Sequence, residues 1–282
     1  MNRNFAIIGC PLGHTMSPPI HKRLFELSGK SGEYSAMPID PEKLGEKIAE
    51  LKKLDGFNIT IPFKVNIIKY LDKLSPSAQR YGSVNTVACG EQCIGYNTDV
   101  DGFVKTMRSY NIAFDGRVCI IGAGGAGRMF AIETALNGAE VTLAVRKSSL
   151  ELAQQVKADI LLQKPDAQVI VTEISQLNGG GYELIINASP CGMYPNTNDM
   201  PDITENTLKN TKAVFDSIYN PSETKFMQLA KSCGCVAVGG MDMLVWQAVA
   251  AHEIWDNAVY SDSDIKALIA EMRRELDKKF KA

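Results

Sequence analysis

Six residues, Gly122-Ala123-Gly124-Gly125-Ala126-Gly127, constrain the fold of this chain more than any other segment. An apolar strand pattern, Arg117-Val118-Cys119-Ile120-Ile121, runs into them. A helical pattern follows as far as Leu136, and a second strand pattern covers Glu140 to Val145. This strand–turn–helix–strand order is the setting in which G-x-G-x-x-G binds a dinucleotide. Gly122 permits the tight turn, Gly124 lets a pyrophosphate approach bare backbone, and Gly127 lets helix and strand pack closely. The helix N-terminus then offers N–H groups and partial positive charge to the phosphates. A glycine-rich turn that binds nothing is the plain alternative, and the flanking pattern weighs against it.

The next strand end discriminates between cofactors. An NAD site usually places an acid there to hold the ribose hydroxyls. This chain reads Ala144-Val145-Arg146-Lys147-Ser148-Ser149, with no acid. A guanidinium beside an ammonium and two hydroxyls suits a 2′-phosphate, so NADP is expected over NAD. Without the glycine turn, the same residues would read as a surface basic pair.

With 282 residues, two domains are the natural expectation at roughly 100–200 residues each. Strand and helix patterns alternate from the start, which predicts an α/β fold with two α/β domains. The first is read as mainly parallel: strands at Phe5–Ile8, Glu33–Ile39 and Gly56–Ile61, helices at Ser17–Leu27 and Pro41–Leu54, then a hairpin of 84–88 and 93–96. Ser17 is the expected N-cap of the first helix, with Pro18 at its first position. A helix starting near Asp99 leads to the Rossmann-type second domain. Its further strands are expected at 169–171, 184–186, 213–215 and 236–238. Two long helical patterns, about Met243–Ala258 and Ser263–Phe280, close the chain. Asn178-Gly179-Gly180-Gly181 reads as a turn.

A net charge of −2 gives no electrostatic reason to expect nucleic acid or an anionic membrane as partner. The seven cysteines are odd in number and lack a zinc-type C-x-x-C pair, which favours a reduced, cytoplasmic setting. The N-terminal apolar run is too short for a signal segment or a membrane span. His14, His21 and His252 lack metal-ligand spacing, so no metal is expected; His14 reads as structural. Trp246 and Trp255 read as core or interface. The partner expected is a small molecule, and a homodimer is the one protein assembly admitted.

Four polar segments stand at predicted strand ends, where open α/β sheets bind ligands: 14–18, 58–64, 82–86 and 95–102. They carry hydroxyls and amides with few charges, which suits a small, polyhydroxylated anion. Reducing a ketone needs a proton or positive charge at the developing alkoxide. A positioned Lys supplies either, and a neighbouring Asp orients it. Lys64 and Asp99 are the candidate pair, although spacing alone leaves Lys64 a surface residue and Asp99 a helix cap.

These segments, in order, resemble the shikimate dehydrogenase family. The likeness rests on His14-Thr15-Met16-Ser17-Pro18, Asn58-Ile59-Thr60-Ile61-Pro62-Phe63-Lys64, Gly82-Ser83-Val84-Asn85-Thr86 and Asn97-Thr98-Asp99. It continues through the glycine turn, Asn187 to Met193, Asp216 with Tyr219-Asn220-Pro221, and Gly240 with Met243 to Gln247. The resemblance implies NADPH-dependent reduction of 3-dehydroshikimate to shikimate, a step toward chorismate and the aromatic amino acids. It implies Lys64 as acid/base and Asp99 as its partner, with Thr15 and Ser17 on the substrate carboxylate. Thr60, Asn85, Tyr219 and Gln247 would contact ring hydroxyls or carboxylate. Gly122, Ala123, Gly124, Gly125, Ala126, Gly127, Arg146, Lys147 and Ser148 would hold the cofactor, with Ser217 and Gly240 facing the nicotinamide. It also implies a substrate domain of residues 1–102 completed by 239–282, a nucleotide domain of 103–238, and catalysis at their junction.

Four positions depart from the family pattern. Thr15 replaces a Ser, Val145 an Asn, Lys147 a Thr, and Asp242 a Gly. The added methyl of Thr15 keeps a quinate/shikimate dehydrogenase using NAD or NADP as the alternative. A methylene-tetrahydrofolate dehydrogenase leaves Asn-Thr-Asp without a role, and a non-catalytic NADPH sensor leaves Lys64 and Asp99 without one.

Overall fold

The fold is that of a computed structural model, which describes residues 3–13, 15–177 and 179–280. His14 and Asn178, read above as structural and as part of a turn, lie outside the described residues. The chain forms two compact units: residues 1–102 with 244–274, and residues 103–243 with 275–282.

In the first unit, strand β1 (Asn4–Gly9) is followed by helix α1 (Ser17–Ser28), β2 (Glu33–Pro38), helix α2 (Leu44–Leu51) and β3 (Gly56–Ile59). Then come β4 (Lys73–Leu74), α3 (Pro76–Tyr81), β5 (Thr86–Ala88) and β6 (Ile94–Tyr96). Helix α4 (Asp99–Ser109) follows. The sheet order is β2-β1-β3-β5-β6-β4. β1 pairs parallel with β2 and β3, and β4 pairs parallel with β6. The β5–β6 hairpin enters antiparallel.

Alternation along β1 splits the core. Ala6 and Ile8 join Phe57, Phe63, Ile67 and Val87 in one buried cluster. Phe5 packs against Phe25 and Trp255, with ring centroids at 5.4 and 4.6 Å. Each buried Phe, Ile or Val among them contributes about 1.5–3 kcal/mol.

Several boundaries differ from the sequence reading. Met16 takes the N-cap position and Ser17 is the first residue of α1; the Ser17 N–H donates to Thr15 Oγ1 at 3.3 Å. Pro41–Lys43 forms a short 3-10 turn before α2, and α2 stops at Leu51. β3 ends at Ile59 because Thr60 begins the loop to Lys64. β4 and α3 carry little apolar periodicity and have no counterpart in the sequence reading.

In the second unit, β7 (Arg117–Ile121), α5 (Gly125–Leu136), β8 (Glu140–Val145), α6 (Leu150–Gln163) and β9 (Val169–Glu173) form one half. β10 (Leu184–Asn187), α7 (Glu205–Leu208), β11 (Ala213–Asp216), α8 (Lys225–Ser232) and β12 (Val236–Gly239) form the other. Helices α9 (Met241–Asp256) and α10 (Asp262–Phe280) close the chain. The six strands are all parallel, in the order β12-β11-β10-β7-β8-β9. This is the doubly wound arrangement, with its switch point between β7 and β10. Buried runs such as Val118–Ile120 and Leu184–Ile186 are what a sheet covered on both faces requires. Among the described residues, no helix is long and apolar enough to cross a membrane.

Candidate active site

The first unit carries Thr15, Ser17, Thr60, Asn85 and Gln247, and it brings Asn85 and Gln247 together beside one acid, Asp99. Asp99 is the first residue of α4, and Lys64 lies in the loop after β3. Lys64 Nζ donates to Asp99 Oδ2 at 2.6 Å, with side-chain exposures of 30% and 17%. The pair is therefore within reach of a ligand and partly screened by solvent. Local packing fixes the lysine. Phe63 is buried, and the Lys64 carbonyl accepts from Val84 N–H at 2.8 Å. A Cβ on Gly9 would lie 2.3 Å from Thr60 Cγ2, so glycine there lets the Thr60 loop approach β1.

Asn85 holds the other side of the acid. Its Nδ2 donates to Asp99 Oδ1 at 2.9 Å, to Thr98 Oγ1 at 3.0 Å and to Gln247 Oε1 at 3.3 Å. Its Oδ1 accepts from Thr98 N–H at 2.7 Å. Gln247 Nε2 is tied to the Leu244 carbonyl at 2.9 Å, which leaves its oxygen toward Asn85. Lys64, Asp99, Asn85 and Gln247 thus form one connected polar cluster.

Behind it runs a second tier that sequence reading assigned no role. Thr86 Oγ1 lies 3.0 Å from Thr98 Oγ1 and accepts from Asn58 Nδ2 at 2.9 Å. Tyr34 donates its hydroxyl proton to Asn58 Oδ1 at 2.7 Å. The Ser17 side chain also hydrogen-bonds the Tyr34 hydroxyl. Tyr34 therefore links the start of α1, where Thr15 and Ser17 stand, to the Asn85 hairpin. Only the motif segments holding Asn58, Thr86 and Thr98 hinted at this tier; Tyr34 belongs to no motif. Helix α1 has no acid in its first turn, so its N-terminus suits a carboxylate.

His21 and His252, unrelated by spacing, meet in the core with Nδ1 and Nε2 3.1 Å apart. His252 faces Asp256, which pairs with Arg3, and Tyr34 stacks on His21. Burial, more than the neighbouring His252, holds the His21 ring well below the usual imidazole range, and burial also lowers His252.

The second unit carries the glycine turn at the mouth of β7. Gly122 has φ +101°, a conformation open to glycine, and lies against the Ala188 carbonyl across the switch point. A Cβ on Gly127 would sit 2.2 Å from Gly122 O, whereas a Cβ on Gly124 would meet nothing within 4 Å. Gly127 is thus small for packing, and the bare backbone at Gly124 faces open space. Gly124 is the N-cap of α5 and provides no side-chain cap. The turn from Ala123 to Ala126 therefore fits a pyrophosphate. At the end of β8, Val145 is buried while Arg146, Lys147 and Ser148 are exposed. The Val145 departure is thus a core substitution, and the cationic pair is available to a phosphate.

Asp216 organises the loop after β11. Its carboxylate accepts from Thr224 Oγ1 at 2.6 Å, Ile218 N–H at 3.1 Å and Asn187 Nδ2 at 3.1 Å. Burial raises its pKa to about 6. This loop carries Ser217 and Tyr219, so Tyr219 stands on the second unit and the other predicted substrate residues on the first. A Cβ on Gly240 would meet Ser217 O at 2.2 Å, so the two backbones are in contact. Asp242 is buried and accepts from the Tyr110 hydroxyl at 2.9 Å, which makes this departure a packing tether.

Residues 7–87 match the shikimate dehydrogenase substrate binding domain. A shikimate dehydrogenase (NADP(+)) of Shouchella clausii (strain KSM-K16) is 38% identical over 261 residues, 90% of this chain and 93% of that protein. The chain belongs to the shikimate dehydrogenase family. Solved structures agree with this membership. Shikimate 5-dehydrogenase from Thermus thermophilus, in complex with NADP(H) and shikimate, gives a TM-score of 0.85 at 28% identity, covering 96% of this chain and 99% of that one. The fold also hosts other substrates: a 5-ketofructose reductase of Gluconobacter sp. strain CHM43 gives a TM-score of 0.80 at 28% identity, covering 96% and 99%.

Proposed function

We propose that this chain interconverts 3-dehydroshikimate and shikimate with NADP(H), using Lys64 as the proton donor and acceptor. The Lys64–Asp99 contact at 2.6 Å, with Asn85 on the second carboxylate oxygen, carries this reading. When bound, the nicotinamide supplies or accepts the hydride. In the reducing direction, Lys64 Nζ gives a proton to the oxygen that leaves the carbonyl state. In reverse, it takes the hydroxyl proton. Asp99 keeps the ammonium in place and aimed. Thr15 and Ser17 hold the substrate carboxylate at the start of α1, while Thr60, Asn85, Gln247 and Tyr219 bind hydroxyls or carboxylate. The α5 N-terminus, with residues 122–127, would hold the pyrophosphate. Arg146, Lys147 and Ser148 would hold the 2′-phosphate, and Ser217 and Gly240 would face the nicotinamide.

The seven cysteines are all free thiols, which supports a cytoplasmic setting. The test is initial-rate assay of the purified protein with shikimate and quinate, each with NADP and with NAD. Shikimate with NADP is expected to give the highest kcat/KM. A higher kcat/KM for quinate with NAD would overturn both the substrate and the cofactor assignments.

A further inference from the structure

The turn of the β5–β6 hairpin carries two thiols that the reaction does not use. The register pairs Thr86 with Tyr96, Val87 with Gly95 and Ala88 with Ile94, so the next facing pair is Cys89 and Cys93. Their backbone bonds point away from each other. Cys89 N–H donates to Asp55 O at 3.0 Å, and Cys93 O accepts from Asp72 N–H at 3.0 Å. Cys93 N–H donates to Asp72 Oδ2 at 2.7 Å. The two residues therefore occupy a non-hydrogen-bonded cross-strand position, where Cα atoms approach to about 4.5 Å. Their side chains share one face, and their sulfurs lie 3.5 Å apart with Cys93 Sγ directed at Cys89 Sγ. Disulfides need an S–S distance of about 2.05 Å and tolerate Cα separations from about 4.4 Å. Closure needs only small side-chain movements. Cys89 is partly exposed, and exposed bridges are among the readily reduced ones.

We propose that Cys89 and Cys93 form a reversible oxidation site that closes to an intramolecular disulfide when it meets a low-molecular-weight disulfide. Cys89 is partly exposed and Cys93 is 4% exposed, so Cys89 meets the oxidant. The Cys89 thiolate attacks one sulfur of the oxidant, forms a mixed disulfide and releases the first small thiolate. Cys93, deprotonated in turn, attacks Cys89 Sγ and expels the second. Two protein thiols are oxidised, the small disulfide is reduced to two thiols, and the two protons pass to those thiolates. Burial, reinforced by the Cys93 thiol, pushes Cys89 far above the usual thiol range, so the first step is slow near neutral pH and accelerates with pH. The bridge would staple the far end of the hairpin whose other end begins just after Asn85 and leads to Asp99.

The experiment treats the full-length native chain with oxidised glutathione, alkylates the remaining thiols and maps peptides by mass. The expected product is a peptide spanning 89–93 that has lost two hydrogens and regains them with dithiothreitol. Its formation rate is expected to rise about tenfold per pH unit. In Cys93→Ser, glutathione is expected to remain on Cys89. The proposal is overturned if the wild-type pair stays reduced, if wild-type Cys89 retains glutathione without expelling it, or if two-hydrogen loss persists in Cys93→Ser.

Discussion

Asn85 is bonded through both ends of its amide, to Thr98, Asp99 and Gln247 and, behind them, to Thr86. Such a residue can be singled out from a motif, but what orients it cannot. Tyr34 shows why: its partners Asn58 and Ser17 come from distant segments, and no local pattern marks it. In Tyr34→Phe, Ser17 and Asn58 each lose a partner. The KM for shikimate is expected to rise about tenfold, equivalent to about 1.4 kcal/mol, with the KM for NADP unchanged. Equal changes in both KM values would mean a general structural defect. The His21–His252 contact is likewise invisible in sequence, because it joins residues 231 positions apart. It makes stability depend on pH. Both rings are held below their ordinary value of 6.5 in the fold, so the unfolded chain binds more protons beneath that pH. Stability present above about pH 6.5 is therefore lost as the pH falls through and below it. Asp216 opposes this, because a pKa raised from 3.8 to about 6 favours the fold as pH falls across that window. Urea unfolding across this range should show His21→Phe taking up as much as about one proton fewer on unfolding than wild type. An unchanged pH slope would contradict the buried-neutral assignment.

Helices and strands are legible where one physical signal dominates. The expected and observed bounds of β8 coincide because its Val141, Leu143, Ala144 and Val145 lie between Asn137-Gly138 and the polar stretch from Arg146, and α5 is announced by the glycine turn. The α1 start differs by one residue, because the Thr15 hydroxyl, and not that of Ser17, accepts the early N–H. Short elements such as β4 are set by pairing with β6, a tertiary fact with no local signature. The glycine turn gives a prediction at this scale. Gly124→Ala places its Cβ in open space, so the chain should fold with unchanged stability yet lose at least about tenfold in NADP affinity. Gly127→Ala drives its Cβ into the Gly122 carbonyl, so it should lose about 1–3 kcal/mol of stability together with NADP binding. Thermal melts and cofactor titration separate the two. Full NADP affinity in Gly124→Ala would remove the pyrophosphate from this turn.

Across the whole chain, alternating strand and helix patterns predict two α/β units, and the all-parallel sheet of the second is the arrangement that such alternation gives. The mixed order of the first sheet depends on where the β5–β6 hairpin docks, which alternation does not specify. What the fold achieves is to bring Lys64 and Asp99, 35 residues apart, into contact beside a tyrosine-anchored polar tier. The most direct test is shikimate oxidation by Lys64→Ala, with NADPH binding measured separately by fluorescence titration. The expected result is a fall in kcat of about 10²–10⁴-fold with the NADPH dissociation constant unchanged. A kcat within a few fold of wild type would contradict the assignment of proton transfer to Lys64.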